Sequence, residues 1–272
     1  MWPNGAMHHS LHQQDHRPWA LPSARWTWRQ SWCDLLFAHW RVPVEQLRPY
    51  IPEPLEIDTY EDEAYVAIVP FRMHDVALRP FPPVPGTASF PEINVRTYVR
   101  YGAKPGVWFL SLDASNPLAV WAARTFFHLP YFGAHMQMKV TSESNVSFET
   151  ARKWSRHHPQ GTPGCEFAGS YRPTSAPRKA QPGSLEHFLT ERYCLYAAPT
   201  GGGLHCLDVH HIPWPLCDAE ANIQTDTMLA PWAISPYGEP IFHFAKRVDV
   251  VTWPAKVVDR HALPPRRHGL TR

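Results

Sequence analysis

Residues Glu92–Val99 read EINVRTYV, which places a carboxylate, an amide and a guanidinium at every second position. Successive side chains of a strand point to opposite faces. Glu92, Asn94, Arg96, Tyr98 and Arg100 therefore share one face, and Ile93, Val95, Thr97 and Val99 share the other. The next residues, YGAKPGVWFLSLDA, supply a Gly/Lys/Pro/Gly turn and a second strand-favouring run from Val107 to Leu112, so the pair predicts a β-hairpin. An antiparallel sheet commonly wets one face, and on periodicity alone the polar row reads as that face. The second run argues otherwise, because Val107, Phe109 and Ser111 alternate with Trp108, Leu110 and Leu112 and neither side is plainly wet. A sheet apolar on both sides must be covered or curled.

The rest of the chain suits such a sheet. Its 272 residues include 12 Trp, 13 Phe and 10 Tyr, enough for a large aromatic core in one β-rich domain. Prolines number 30, about twice the usual ~5%, and so scattered a set breaks long helices and interrupts strands. The formal charge of +2 gives no electrostatic case for nucleic acid or an anionic membrane, and no apolar run approaches the ~20 residues of a membrane span. The opening residues lack a secretory pattern. Five cysteines, odd in number and without a C-x-x-C pair, fit reduced thiols in a cytoplasm.

The expected organisation is a disordered leader over 1–24, one domain over 25–258, and a basic flexible tail over 259–272 carrying Arg266-Arg267-His268. Within the domain, SWCDLLFAHW and AYVAIVPFRM read as strands, the latter tolerating Pro70 only at an edge or bulge. Asn116-Pro117 reads as an N-cap with proline in the first helical position, and Ser184 as a second N-cap. AHMQMKVTSESNVSFET predicts another hairpin. Strands dominate, with two or three helices between hairpins, which makes an α+β, β-rich fold on a large, curved, mainly antiparallel sheet.

Nucleotide-binding and serine-hydrolase signatures are missing from the sequence. His210 and His211 are adjacent on a strand and point apart, and there is no H-E-x-x-H, so no metal and no cofactor is expected. The cysteines read as buried inert thiols.

The segments HWRVP, PEINVRTYVR, GVWFLSLDA, GSLEHFLTERYCLY and HHIPWPL, within residues 29–255, resemble the YqjF-like family, a domain of unknown function in the acetoacetate decarboxylase-like superfamily. The PEPLEID and ARTFFHLPYFGA segments resemble the decarboxylase itself more distantly. The resemblance implies a sheet closing toward a cone or half-barrel around a pocket. It also implies that Glu92 matches an active-site glutamate, which turns the polar row into pocket lining. The two lysine positions of the decarboxylase are Tyr131 and Phe132 here. A phenol cannot form an imine, so Schiff-base decarboxylation is not expected. A second active-site glutamate falls within VAIVPF, where no carboxylate exists, and Arg29 matches the early decarboxylase arginine only loosely.

Three readings follow. In the first, the protein is an enzyme in which Glu92 and Tyr131 move a proton and Asn94, Arg96 and Arg124 hold a small organic acid or carbonyl compound. In the second, the same residues bind that ligand without turnover. In the third, Glu92 and Arg96 are a buried network that fixes the sheet, and Tyr131 is a core phenol. His39, His128 and His135 could flank a pocket mouth or serve the framework, and Lys139 reads as solvated. A small-molecule ligand is the expected partner, and a chain so rich in tryptophan leaves room for a homo-oligomer.

Overall fold

The EINVRTYV stretch lies in a strand paired with its successor in the hairpin that the sequence predicts. The computed structural model describes residues 8–86, 88–152, 164–199 and 201–263. Its strands are β1 (Trp28–Val42), β2 (Glu56–Ile57), β3 (Ala64–Leu78), β4 (Phe90–Tyr101), β5 (Lys104–Ala114), β6 (Tyr131–Val140), β7 (Val146–Arg152), β8 (Glu166–Pro173), β9 (Cys194–Ala197), β10 (Leu204–His210), β11 (Leu216–Asp226), β12 (Tyr237–Thr252) and β13 (Lys256–Asp259). Short helices α1 (Val44–Leu47), α2 (Pro117–Phe126) and α3 (Leu185–Thr190) lie between them. The two expected caps are made: Asn116 accepts from Leu118 N–H at 3.0 Å, and Ser184 accepts from His187 N–H at 3.2 Å.

Curvature goes to completion. Strands β5–β6–β7–β8–β11–β12–β1–β3–β4 pair in that order, and β4 pairs back to β5, which closes a nine-stranded barrel. Strands β9 and β10 form a second bridge from β5 to β12, so β12, β1, β3, β4 and β5 also belong to a seven-stranded ring. Pairing is antiparallel except where β5 meets β6 and β9.

The middles of β1, β3, β4 and β5 have no wet face, and that of β12 is exposed only at Lys246 and Arg247. On β1, Leu36 and Ala38 enter one apolar core while Leu35 and Phe37 enter a second. On β4, Ile93 and Val95 join the first core. Glu92, Asn94 and Arg96 stand opposite Phe71, Val69 and Ala67 of β3, which belong to the second. That second core draws on every strand of the seven-stranded ring. Each large apolar side chain fully buried in it contributes roughly 1.5–3 kcal/mol, and truncating Phe37, which is inaccessible to solvent, is expected to cost about 3–5 kcal/mol.

Pro70 sits in a central strand, where a missing N–H would break the ladder. The β1–β3 register slips between Cys33 and Ala38, opposite Pro70, and Asp34 takes a left-handed φ of 51° there. Proline and bulge thus coincide, as the sequence requires.

The expected disordered leader is corrected from residue 8 onward. Leu11 is buried against Val251 and Trp253. Arg17 Nη1 donates to Val209 O at 2.7 Å, Trp19 Nε1 donates to Asp208 Oδ1 at 3.0 Å, and His210 Nε2 meets Ser10 O at 2.8 Å. This segment has no hydrophobic periodicity to read; it is held by single contacts along β10 and its flanks. The expected tail is likewise ordered at its start, where Gly203 N–H donates to Ala262 O at 2.8 Å and Ala262 is buried. Arg266, Arg267 and His268 lie outside the described residues.

Candidate functional site

Glu92 and Tyr131 are brought together by a crossover. Strand β5 leaves the hairpin, α2 carries the chain over, and β6 returns parallel to β5 with Tyr131 level with Leu112, which itself lies opposite Asn94 of β4. Tyr131 Oη donates to Glu92 Oε2 at 3.0 Å, and both side chains are buried. Among the described residues, no lysine or arginine forms an ion pair with Glu92. Burial therefore pushes its carboxyl up to about 8, Tyr131's hydrogen bond pulling the other way and the charge of Asp113 adding to the rise. Burial thereby favours the uncharged acid in the folded chain. Burial, with Glu92 beside it, holds the Tyr131 phenol well above its ordinary value.

Further along β4 the polar row continues inward. Asn94 is buried and its Oδ1 has no protein partner. Arg96 is 8% exposed, lies over the rings of Phe37 (5.2 Å) and Tyr98 (5.8 Å), and places Nη2 at 3.4 Å from Leu189 O. Its Nε has no partner, and no carboxylate among the described residues pairs with it. Tyr98 Oη donates to Leu189 O at 2.8 Å and so accepts from His39 Nε2 at 2.7 Å. That leaves Nδ1 of neutral His39 a bare acceptor. Burial, Arg96 and His243 all hold His39 well below its ordinary value.

The remaining candidates divide. Arg124 Nε donates to Tyr131 O at 2.6 Å and its guanidinium lies over Phe132, so its visible work is to hold Tyr131. His128 and His135 are exposed, whereas His39 is completely buried. Lys139, Lys179 and Lys256 are exposed, and Lys104 and Lys246 bind Asp208 and Asp34.

Sequence reasoning missed several residues of this region. Asp113 binds Arg152 through two oxygens at 2.7 Å each, and Arg152 also donates to Ser111 Oγ. Trp214 packs edge-on against Phe37 at 5.0 Å. The row containing Tyr98 was visible as a period of two, but nothing local in HHIPWPL marks Trp214. Glu186, Asp218 and His243 place three ligand atoms within 4.8 Å of one another. Arg178 Nη2, at 2.5 Å from Glu186 and 2.7 Å from Asp218, already supplies that group with a cation.

A crossed, closed sheet with a buried acid at its wall defines a fold class. The chain superposes on the enduracididine biosynthesis enzyme MppR in complex with pyruvate with a TM-score of 0.60, 11% identity, and coverage of 90% of this chain and 94% of that one. Acetoacetate decarboxylase from Legionella pneumophila gives 0.54 and 15%, covering 88% and 93%. The fold is that of the acetoacetate decarboxylase-like proteins. Within it the chain belongs to the DUF2071 family, described as an uncharacterized conserved protein, whose model matches residues 29–249. It is 42% identical over 238 residues to the uncharacterized protein YqjF of Bacillus subtilis (strain 168), across 87% of this chain and 95% of that protein.

Proposed function

We propose that the seven-stranded ring binds an organic acid or carbonyl compound, that Arg96 holds its anionic group, and that Glu92 with Tyr131 moves a proton on it without a Schiff base. The observation that carries this reading is Arg96, a buried guanidinium with no carboxylate partner among the described residues. Burying an unpaired charge is costly, and an anionic ligand offsets that cost with charge-assisted hydrogen bonds. Glu92 supports the chemistry, since a carboxyl titrating at about 8 is matched to proton transfer near neutral pH. The solved MppR complex shows that a member of this fold accommodates a keto acid. Tyr131 and Phe132 provide no amine for an imine.

Thermal-shift screening against keto and hydroxy acids of varied chain length tests binding. Stabilising hits are expected, and Arg96→Met is expected to abolish them while the variant stays folded. Undiminished hits in that variant would remove Arg96 from the role. Binding without turnover is the second reading, favoured by the missing lysine. Deuterium uptake beside the ligand carbonyl, followed by proton NMR, separates the two: Glu92→Gln is expected to stop uptake and keep binding, while a wild-type protein that binds but exchanges nothing is a binding module.

A further inference from the structure

Glu92 and Arg96 share a face of β4 but are not neighbours. Their ladder to β3 is regular, Phe71–Glu92, Val69–Asn94 and Ala67–Arg96. Four residues of extended chain at ~3.3 Å each separate their Cα atoms by on the order of 13 Å. Tyr131, level with Asn94, reaches toward the Glu92 end. The Arg96 guanidinium lies between Phe37 and Tyr98 and shares the Leu189 carbonyl with the Tyr98 hydroxyl, so it is not folded back along the strand onto Glu92.

A second set of groups marks the Arg96 end. Trp214 is 1% exposed, packs on the Phe37 ring, and its Nε1 has no protein partner. Arg96 Nε and Trp214 Nε1 are therefore two buried donors beside one aromatic ring. His39 stacks on that ring at 5.8 Å, and His243 lies directly across from Phe37 on β12. His39 Nε2 is committed to Tyr98 and His243 Nε2 to Glu186, so the unpartnered Nδ1 of each is an acceptor in its neutral form. Acceptors repel an anion, so its partners are donors: the Arg96 guanidinium and the Trp214 indole at Phe37, with Trp32, whose Nε1 is also unpartnered, stacked on Trp214 at 5.7 Å, while Arg192 over the Tyr98 ring is already paired with Asp58. Between the two ends, Val69 and Leu112 flank Asn94 and are buried and apolar.

We infer that the ligand of this site is two-ended: a carboxylate held by Arg96 and Trp214 beside Phe37, an apolar chain passing Val69, Asn94 and Leu112, and a carbonyl group at Glu92 and Tyr131. It deepens the function proposed above and rests on it. A hydrogen bond of roughly 3 Å at each end leaves about 7 Å to bridge, which the six C–C bonds of ~1.5 Å between the carboxylate and the ketone of an eight-carbon keto acid cover; pyruvate, with one such bond, cannot touch both ends.

Isothermal titration of the full chain with three probes tests this: pyruvate, an eight-carbon acid with a methyl ketone at its far end, and methyl hexyl ketone, which lacks the carboxylate. The long keto acid is expected to bind at least about tenfold more tightly than pyruvate. Arg96→Met should weaken the long acid by about tenfold or more and leave the neutral ketone unchanged, with Trp214→Phe weakening the acid to a smaller degree. The chain-length comparison uses the unaltered protein, so it stands even where a variant fails to fold. Pyruvate binding as tightly as the long acid, with both dependent on Arg96, would overturn the two-ended ligand and leave the proposed function intact. Binding of the neutral ketone alone would overturn both.

Discussion

Two buried carboxyls sit on adjacent strands of one hairpin and have opposite fates. Asp113 of β5 lies opposite Ile93 and faces Arg152, which binds it through two hydrogen bonds and stacks over Phe132 at 4.2 Å. Burial pushes the Asp113 carboxyl up against the pull of that guanidinium. Glu92, one residue from Ile93 and on the other face, has a phenol instead of a cation. The guanidiniums show the same division, Arg152 being matched by a carboxylate and Arg96 by none among the described residues. A matched pair fixes a framework. An unmatched acid and an unmatched guanidinium on one strand face are the features on which the proposed ligand site rests.

The largest expected effect tests that division directly. Arg152→Met leaves Asp113 buried without its cation and should cost about 3–5 kcal/mol in denaturant unfolding. Arg96→Met removes an unmatched buried charge and should stabilise the ligand-free protein by about 1–4 kcal/mol. Equal costs for the two variants would break the comparison.

Acidity sharpens it further. Glu92 titrates at about 8 in the folded chain against a reference of 4.5. Its contribution to stability is fully present below 4.5 and is lost as pH rises through 8, because the unfolded chain releases this proton first. The loss is on the order of a few kcal/mol, and Glu92→Gln should flatten that part of the stability–pH curve. His8, His210 and His211, where the N-terminal segment meets β10, act with the opposite sign. Burial lowers each to about 4, so their contribution is present above 6.5 and is lost as pH falls through 4.

The smallest effect concerns the phenol. Tyr131→Phe removes one buried hydrogen bond and should cost about 1–2 kcal/mol. Because that bond lowers the Glu92 carboxyl, its loss should move the Glu92 titration upward, which carboxyl chemical shifts followed by NMR would report. A downward movement would mean that the phenol does not stabilise the ionised form.

Much of this architecture was legible along the chain. The two-residue period of EINVRTYV, the doubly apolar runs around it, the Asn116 and Ser184 caps and the bulge demanded by Pro70 are local signals, and local backbone physics makes them readable. Periodicity alone favoured a wet face for the Glu92 row and the resemblance turned that row inward, whereas the hydrogen bond from Tyr131 to Glu92 is read only from the structure. The leader was misread because single hydrogen bonds from Arg17 and Trp19 to β10 leave no pattern in sequence.

The sequence by itself determined where strands recur, which faces are polar, and that Pro130 is followed directly by Tyr131 and Phe132 rather than by lysine. These depend on side-chain type and spacing, which a linear string contains. The tertiary structure decided what each polar group meets: that Asp113 finds Arg152, that Arg96 finds no acid among the described residues, and that Trp214 arrives beside Phe37 from far along the chain. The physical reason is closure. Two rings sharing one wall remove water from both faces of β4, and a charge without water takes its protonation state and its reactivity from its neighbours in space.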